Sequence, residues 1–140
     1  MFSQRIRRVM EREKLITAPA QTTVSEAAKM MAKSGISAIV VVENEVLIGI
    51  FTERDAVFRV IAEGRDANTT RLADVMTPAP VTVDPGRSFG YALQLMHEHG
   101  FRHVPVVEDG KPVGIVSSRD ALDPEMEEFV CEEQRRENIR

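Results

Sequence analysis

Residues 16–57 recur, without a gap, as residues 81–122. Twelve of the 42 aligned positions are identical, among them Gly35/Gly100, Gly49/Gly114, Arg54/Arg119 and Asp55/Asp120. Other pairs keep physical type, such as Ile39/Val104, Ile48/Val113 and Thr52/Ser117. A repeat of this length constrains the architecture more than any local signal, because each copy of one supersecondary unit must bury its apolar face against the rest. Two copies related by a pseudo-twofold axis also create paired clefts, and function is expected there. The chain divides into a lead-in (residues 1–15), a first repeat (16–69), a second repeat (70–122) and an acidic, helical tail (123–140).

Each copy reads as strand, helix, strand, strand, helix. In the first, Val24, Ala27, Ala28 and Met31 recur at helical spacing; Thr23 or Ser25 can cap the start and Gly35 the end. Ile39–Val42 is β-branched throughout, as in a strand buried on both faces. The short turn Glu43-Asn44-Glu45 returns the chain as Val46–Phe51, a hairpin. Thr52 and Asp55 then stand at the N-cap and N3 of a helix that runs from Glu53 to about Ala62 and closes at Gly64. The second copy repeats this order with Phe89, Ala92, Leu93 and Met96 on its helix, and with Ser117 and Asp120 opening the last one. Pro105 inside a strand predicts an edge or a bulge, so the copies are expected to differ there. Residues 70–77 predict a short helix leading into copy two, and Arg8-Val9-Met10 echoes its Asp74-Val75-Met76 ahead of copy one.

Composition narrows the function classes. A net charge of −4 gives no general electrostatic case for nucleic acid, and the four residues Arg5-Ile6-Arg7-Arg8 read best as a solvated helix face. A single cysteine, Cys131, cannot close an intrachain disulfide, which fits a reducing compartment. With no apolar run of membrane-spanning length, no membrane association and a cytoplasmic location are expected. One cysteine and three histidines argue against a transition-metal site. No dinucleotide fingerprint, phosphate loop or nucleophile–base pair points to an enzyme.

Gly49-Ile50-Phe51-Thr52-Glu53-Arg54-Asp55 and Gly114-Ile115-Val116-Ser117-Ser118-Arg119-Asp120, with the stretches DVMTP (74–78) and FRHVPVVEDGKPVGIVS (101–117), resemble the CBS domain, named after cystathionine β-synthase. The resemblance covers roughly residues 5–122 and occurs twice, as in the paired arrangement called a Bateman module. It implies an α/β fold of tandem β-α-β-β-α repeats, and a regulatory ligand containing adenosine: AMP, ADP, ATP, NAD or S-adenosylmethionine. The residue chemistry agrees. A carboxylate such as Asp55 can accept hydrogen bonds from both ribose hydroxyls, Thr52 marks a helix N-terminus that favours phosphate, and Arg54 or Arg119 adds a charged fork. Carried over from the family, cleft one would hold Thr52, Arg54 and Asp55 with Val81, Thr82, Val83, Phe101, Arg102 and His103. Cleft two would hold Ser117, Arg119 and Asp120 with Ile16, Thr17, Ala18, Ile36, Ser37 and Ala38. Cleft one, with Arg102 and His103 where cleft two has Ser37 and Ala38, is expected to be the better phosphate site. The resemblance further implies a homodimer and, with no effector domain in the sequence, a separate partner protein that receives the signal.

Each feature also has a plainer reading. Thr52/Asp55 and Ser117/Asp120 serve equally as helix caps, which is compatible with a binding role. Met30, Met31 and Met96 read as core packing, and His97 and His99 as exposed side chains. Met126, Phe129 and Val130 have helical spacing outside the repeats and are expected to pack on the module or on a second copy. Two rival functions remain open: an adaptor whose clefts bind nothing, and a regulator touching nucleic acid through its basic N-terminus.

Overall fold

The computed structural model describes residues 2–121; the predicted C-terminal helix, with Cys131, Met126, Phe129 and Val130, lies outside them. A short helix α1 (Ile6–Val9) runs into a 3₁₀ turn (Met10–Arg12) and is followed by β1 (Thr17–Pro19), α2 (Val24–Ser34), β2 (Ala38–Glu43) and β3 (Val46–Thr52). Next, α3 (Glu53–Asp55) widens into a π-helix (Ala56–Ile61), and α4 (Leu72–Val75) and β4 (Thr77–Pro78) bridge to the second copy. That copy comprises α5 (Phe89–His99), β5 (His103–Glu108), β6 (Lys111–Ser117) and a 3₁₀ turn (Ser118–Ala121). Among the described residues, no helix is long and apolar enough to cross a membrane.

The repeat is realised atom by atom. Thr23 caps α2 through Glu26 in a capping box, and Ser88 caps α5. Gly35 (φ +65°) and Gly100 (φ +74°) end these helices in the left-handed conformation that glycine tolerates without strain. Val24, Ala27 and Met31 of α2 are buried, as are Phe89, Ala92 and Met96 of α5. Both hairpins carry a bulge at the same place, Val41/Val42 and Val106/Val107. Both turn through two left-handed residues, Asn44-Glu45 and Asp109-Gly110.

One residue breaks the symmetry between the sheets. In copy one, Val40 donates its backbone N–H to Ile16 (3.1 Å), anchoring β1 beside β2 in a sheet ordered β1-β2-β3-β4. The equivalent residue in copy two is Pro105, which has no N–H to donate. There the first strand shrinks to a single parallel bridge, Val83 to Val106, beside the two-stranded sheet β5-β6. The bulge between Val106 and Val107 is not what Pro105 changes, since copy one carries it at Val41/Val42 as well.

The lead-ins pack crosswise. By chain order α1 precedes copy one, yet Ile6 and Val9 are buried in the core of copy two with Phe89, Val104 and Val116. Leu72 and Val75 of α4, which precede copy two, complete the core of copy one with Ala27, Ile39 and Phe51. Two glycines make this possible: a Cβ on Gly49 would run into the Met76 side chain, and one on Gly114 would lie 2.7 Å from Met10 Sδ. A third cluster, Ala38, Val40, Ile50 and Ile115, joins the two copies at their centre.

Candidate functional site

Two clefts lie between the copies, and both are built where a hairpin strand turns into a helix. In cleft one, of about 970 Å³, Thr52 ends β3 and caps α3. Its backbone N–H donates to Asp55 Oδ2 (2.9 Å), its hydroxyl donates to the same oxygen (3.2 Å), and Asp55 N–H donates back to Thr52 Oγ1 (3.4 Å). Arg59, one helical turn on, places Nε 3.5 Å from Asp55 Oδ1 and donates to the carbonyls of Val75 and Met76. Arg54 lies over the Phe58 ring, 5.1 Å from its centroid. The opposite wall is Thr77, Ala79, Pro80 and Val81 from the second lead-in, with Phe101, Arg102 and His103.

Cleft two, about 870 Å³, repeats the motif and adds an occupant. Ser117 N–H donates to Asp120 Oδ2 (2.9 Å), as Thr52 does to Asp55. The Ser117 hydroxyl, however, donates to Glu13 Oε1 (3.0 Å), a residue of the first lead-in 104 positions away. Glu13 Oε2 and Asp120 Oδ1 are buried without a hydrogen-bond partner among the described residues. Burial pushes the Glu13 carboxyl up to about 8, and the adjoining Asp120, to which a protonated Glu13 can donate, adds to the rise; Ser117 and Arg119 pull it back.

The clefts meet at the pseudo-twofold axis. Glu53 N–H donates to the Ser37 carbonyl and Ser118 N–H to the Arg102 carbonyl, each 3.0 Å and each crossing between elements at equivalent positions. Ser37 Oγ and His103 Nε2 are hydrogen-bonded at 2.9 Å. Glu53, Arg102 and His103 therefore line both clefts. Burial holds the His103 imidazole below its usual range, with Glu53 acting in the opposite direction.

The expected residues sort as follows. Thr52, Arg54, Asp55, Val81, Phe101, Arg102 and His103 line cleft one, and Ile36, Ser37, Ala38, Ser117 and Arg119 line cleft two. Val83 and Ala18 do not; strand alternation turns both inward, into the cores of copies two and one. Thr17 and Thr82 are exposed off the lining, Ile16 packs against the first core, and Asp120 is only 1% exposed. The expectation that Arg102 and His103 belong to cleft one alone is corrected: lying at the axis, they border both. Residues not anticipated are Arg59, whose signal was its i,i+4 spacing from Asp55, Glu53 from the first turn of α3, and Glu13, reached only through the crossed lead-in.

The CBS domain family model matches residues 6–62 and again 72–125. The CBS domain-containing protein YhcV of Bacillus subtilis is 41% identical over 98 residues, 70% of this chain and 69% of that protein. Of other curated relatives, the chain spans only 64% and 51% of their own length. Among solved structures, a putative signal-transduction protein with CBS domains from Burkholderia ambifaria superposes with a TM-score of 0.80 at 31% identity, covering 86% of this chain and 93% of that one. A CBS domain protein from Pyrobaculum aerophilum, complexed with AMP, superposes with a TM-score of 0.76 at 26% identity, covering 84% and 89%.

Proposed function

The chain belongs to the CBS domain family as a pair of repeats, a regulatory module, and from that premise we propose that it binds an adenosine-containing ligand in the clefts between its copies. The observation that carries this is cleft one. An open cavity of small-ligand size places a buried carboxylate, Asp55, at a helix start beside Arg54, Arg59 and Arg102. The carboxylate suits a ribose diol, the arginines and the α3 cap suit phosphate, and Val81 and Phe101 offer apolar faces to a base. The AMP complex of the Pyrobaculum protein supports the same ligand class. Binding favours one arrangement of the repeats by no more than the ligand's differential affinity for it, and a separate effector protein reads the result.

Association of two copies is part of this proposal. Val57 (49% exposed), Phe58 (57%) and Ile61 (71%) present an apolar stripe on the π-helix. Ile61→Asp is expected to shift the protein to monomer in sedimentation equilibrium, with the fold intact by circular dichroism.

The ligand proposal is tested by calorimetric titration of nucleotide-stripped protein with AMP, ADP, ATP, NAD and S-adenosylmethionine, with guanosine nucleotides as controls. Adenine-selective binding that weakens in Asp55→Ala is the expected outcome; flat titrations against a folded protein sink it. One observation favours an adaptor without ligand: both Asp55 oxygens are already engaged, Oδ2 by Thr52 and Oδ1 by Arg59. Those flat titrations, with the dimer intact, are what that second reading requires.

A further inference from the structure

The chain already places one of its own side chains in cleft two. Ser117 donates to Glu13 Oε1, leaving Glu13 Oε2 and the 1%-exposed Asp120 Oδ1 buried and unpartnered among the described residues. Two carboxyl groups side by side in a buried setting are stable only with a proton between them, since both cannot carry charge there at tolerable cost. Among the described residues cleft one has no such guest: its lead-in contributes Thr77, Ala79 and Pro80, with no carboxylate. Resting on the adenosyl-ligand reading above, we propose that Glu13 is an internal competitor for cleft two, held on Ser117 and Asp120, which a ligand carrying a vicinal diol displaces.

The exchange balances. In the closed state the Glu13 hydroxyl is positioned to donate to Asp120. When the ligand's hydroxyls take over as donors to Asp120, Glu13 swings out, ionises, and gives its proton to solvent. Its surroundings favour the ionised, displaced form once water reaches it: Arg119 from the last turn, Arg102 and His103 from β5, and Arg12 and Lys14 alongside, with Glu53 from α3 the opposing charge. The segment that must yield is short, because Ile6 and Val9 upstream are locked in the second core. Cleft two thus binds with release of a proton, and its affinity rises with pH up to about the value at which Glu13 itself titrates, about 8.

The test uses the full chain carrying Asp55→Ala, which silences cleft one, titrated with AMP by calorimetry from pH 5.5 to 8. The expected result is an AMP affinity that rises by up to about tenfold per pH unit beyond the AMP phosphate's own contribution. Glu13→Gln, which keeps the hydrogen bonds and cannot ionise, is expected to lose the Glu13 part of that slope and keep only what the phosphate and His103 contribute. Glu13→Ala, which opens the cleft, is expected to bind about tenfold tighter at pH 6.5. If cleft-two binding is real (abolished by adding Asp120→Ala) yet has the same pH slope in Glu13→Gln as in its parent and is no tighter in Glu13→Ala, the competitor is refuted and the adenosyl reading stands. If none of AMP, ADP, ATP, NAD and S-adenosylmethionine binds the wild type or any variant, the adenosyl reading falls and the competitor with it. A carbon-detected NMR titration of ligand-free protein adds a check without ligand: Glu13 titrating in the ordinary carboxylate range would also overturn the proposal.

Discussion

Clefts one and two grow from the same seven-residue motif, and they differ because different lead-ins cross them. Thr77-Pro78-Ala79-Pro80 leaves cleft one open, with Asp55 steadied by Arg59, a cation. Met10–Lys14 brings a carboxyl into cleft two, so Asp120 is faced by another acid. On the proposed reading, the duplicated motif fixes where a ligand would sit, and the lead-ins decide on what terms. Asp55 has a cation for a neighbour, whereas Asp120 has a carboxyl that burial pushes toward its protonated form.

The comparison breaks most visibly at the aspartates. Asp55→Ala is expected to weaken nucleotide binding at cleft one by about 100-fold, from the loss of two charge-assisted hydrogen bonds. Asp120→Ala is expected to cost total nucleotide binding at neutral pH less, because its cleft is already partly self-occupied; calorimetry on the two single variants checks the order. A larger loss at Asp120 would reverse the ranking of the clefts.

The next effect is on stability. In Gly114→Ala the new Cβ would meet Met10 Sδ at 2.7 Å and Met10 Cβ at 3.0 Å. A cost of about 1–3 kcal/mol in chemical denaturation is expected, together with a downward move of Glu13's titration as the lead-in shifts. Gly49→Ala presses on Met76 and on the Thr77 carbonyl at 3.1 Å instead. It is expected to destabilise comparably and leave Glu13 untouched.

A further effect distinguishes the clefts by pH. Glu13 is raised from 4.5 to about 8 on folding, so the folded state holds a proton the unfolded state lacks in that interval. Its contribution to stability is full below pH 4.5 and is lost as pH rises toward 8. His103 acts oppositely: its folded value is lowered, so stability is lost as pH falls below 6.5. Denaturation of Glu13→Gln is expected to retain only the histidine limb, and a wild-type profile that matches it across pH 5–8 would count against the shared proton.

The smallest expected change lies in the turns. Glu45 adopts φ +67°, where copy two has Gly110 at +78°. Glu45→Gly is expected to stabilise by about 0.5–1 kcal/mol in a thermal melt, the relief of left-handed strain outweighing glycine's entropy cost. The exposed Lys111–Glu45 pair it gives up contributes little.

Local rules carried far in this sequence because the repeat tested each of them twice. The cap at Thr23, the terminal glycines 35 and 100, the hairpins and the Thr52–Asp55 box all follow from spacing over three or four residues. What spacing could not reach is long-range. No local signal tells that α1 packs on copy two, that Glu13 meets Ser117 across 104 residues, or that Arg102 and His103 border both clefts. The family resemblance puts Ala18 and Val83 in the clefts, whereas alternation along the strand, which decides their side, turns them into the cores.

The crossed lead-ins have a mechanical consequence. Cutting the chain at the repeat boundary, between residues 69 and 70, would give two fragments, each carrying the wedge that fills the other's interior: Ile6 and Val9 on the first, Leu72 and Val75 on the second. Neither half closes its own hydrophobic interior, so the pair is expected to melt and refold as a single interlocked body. A push on either wedge is felt in the opposite half.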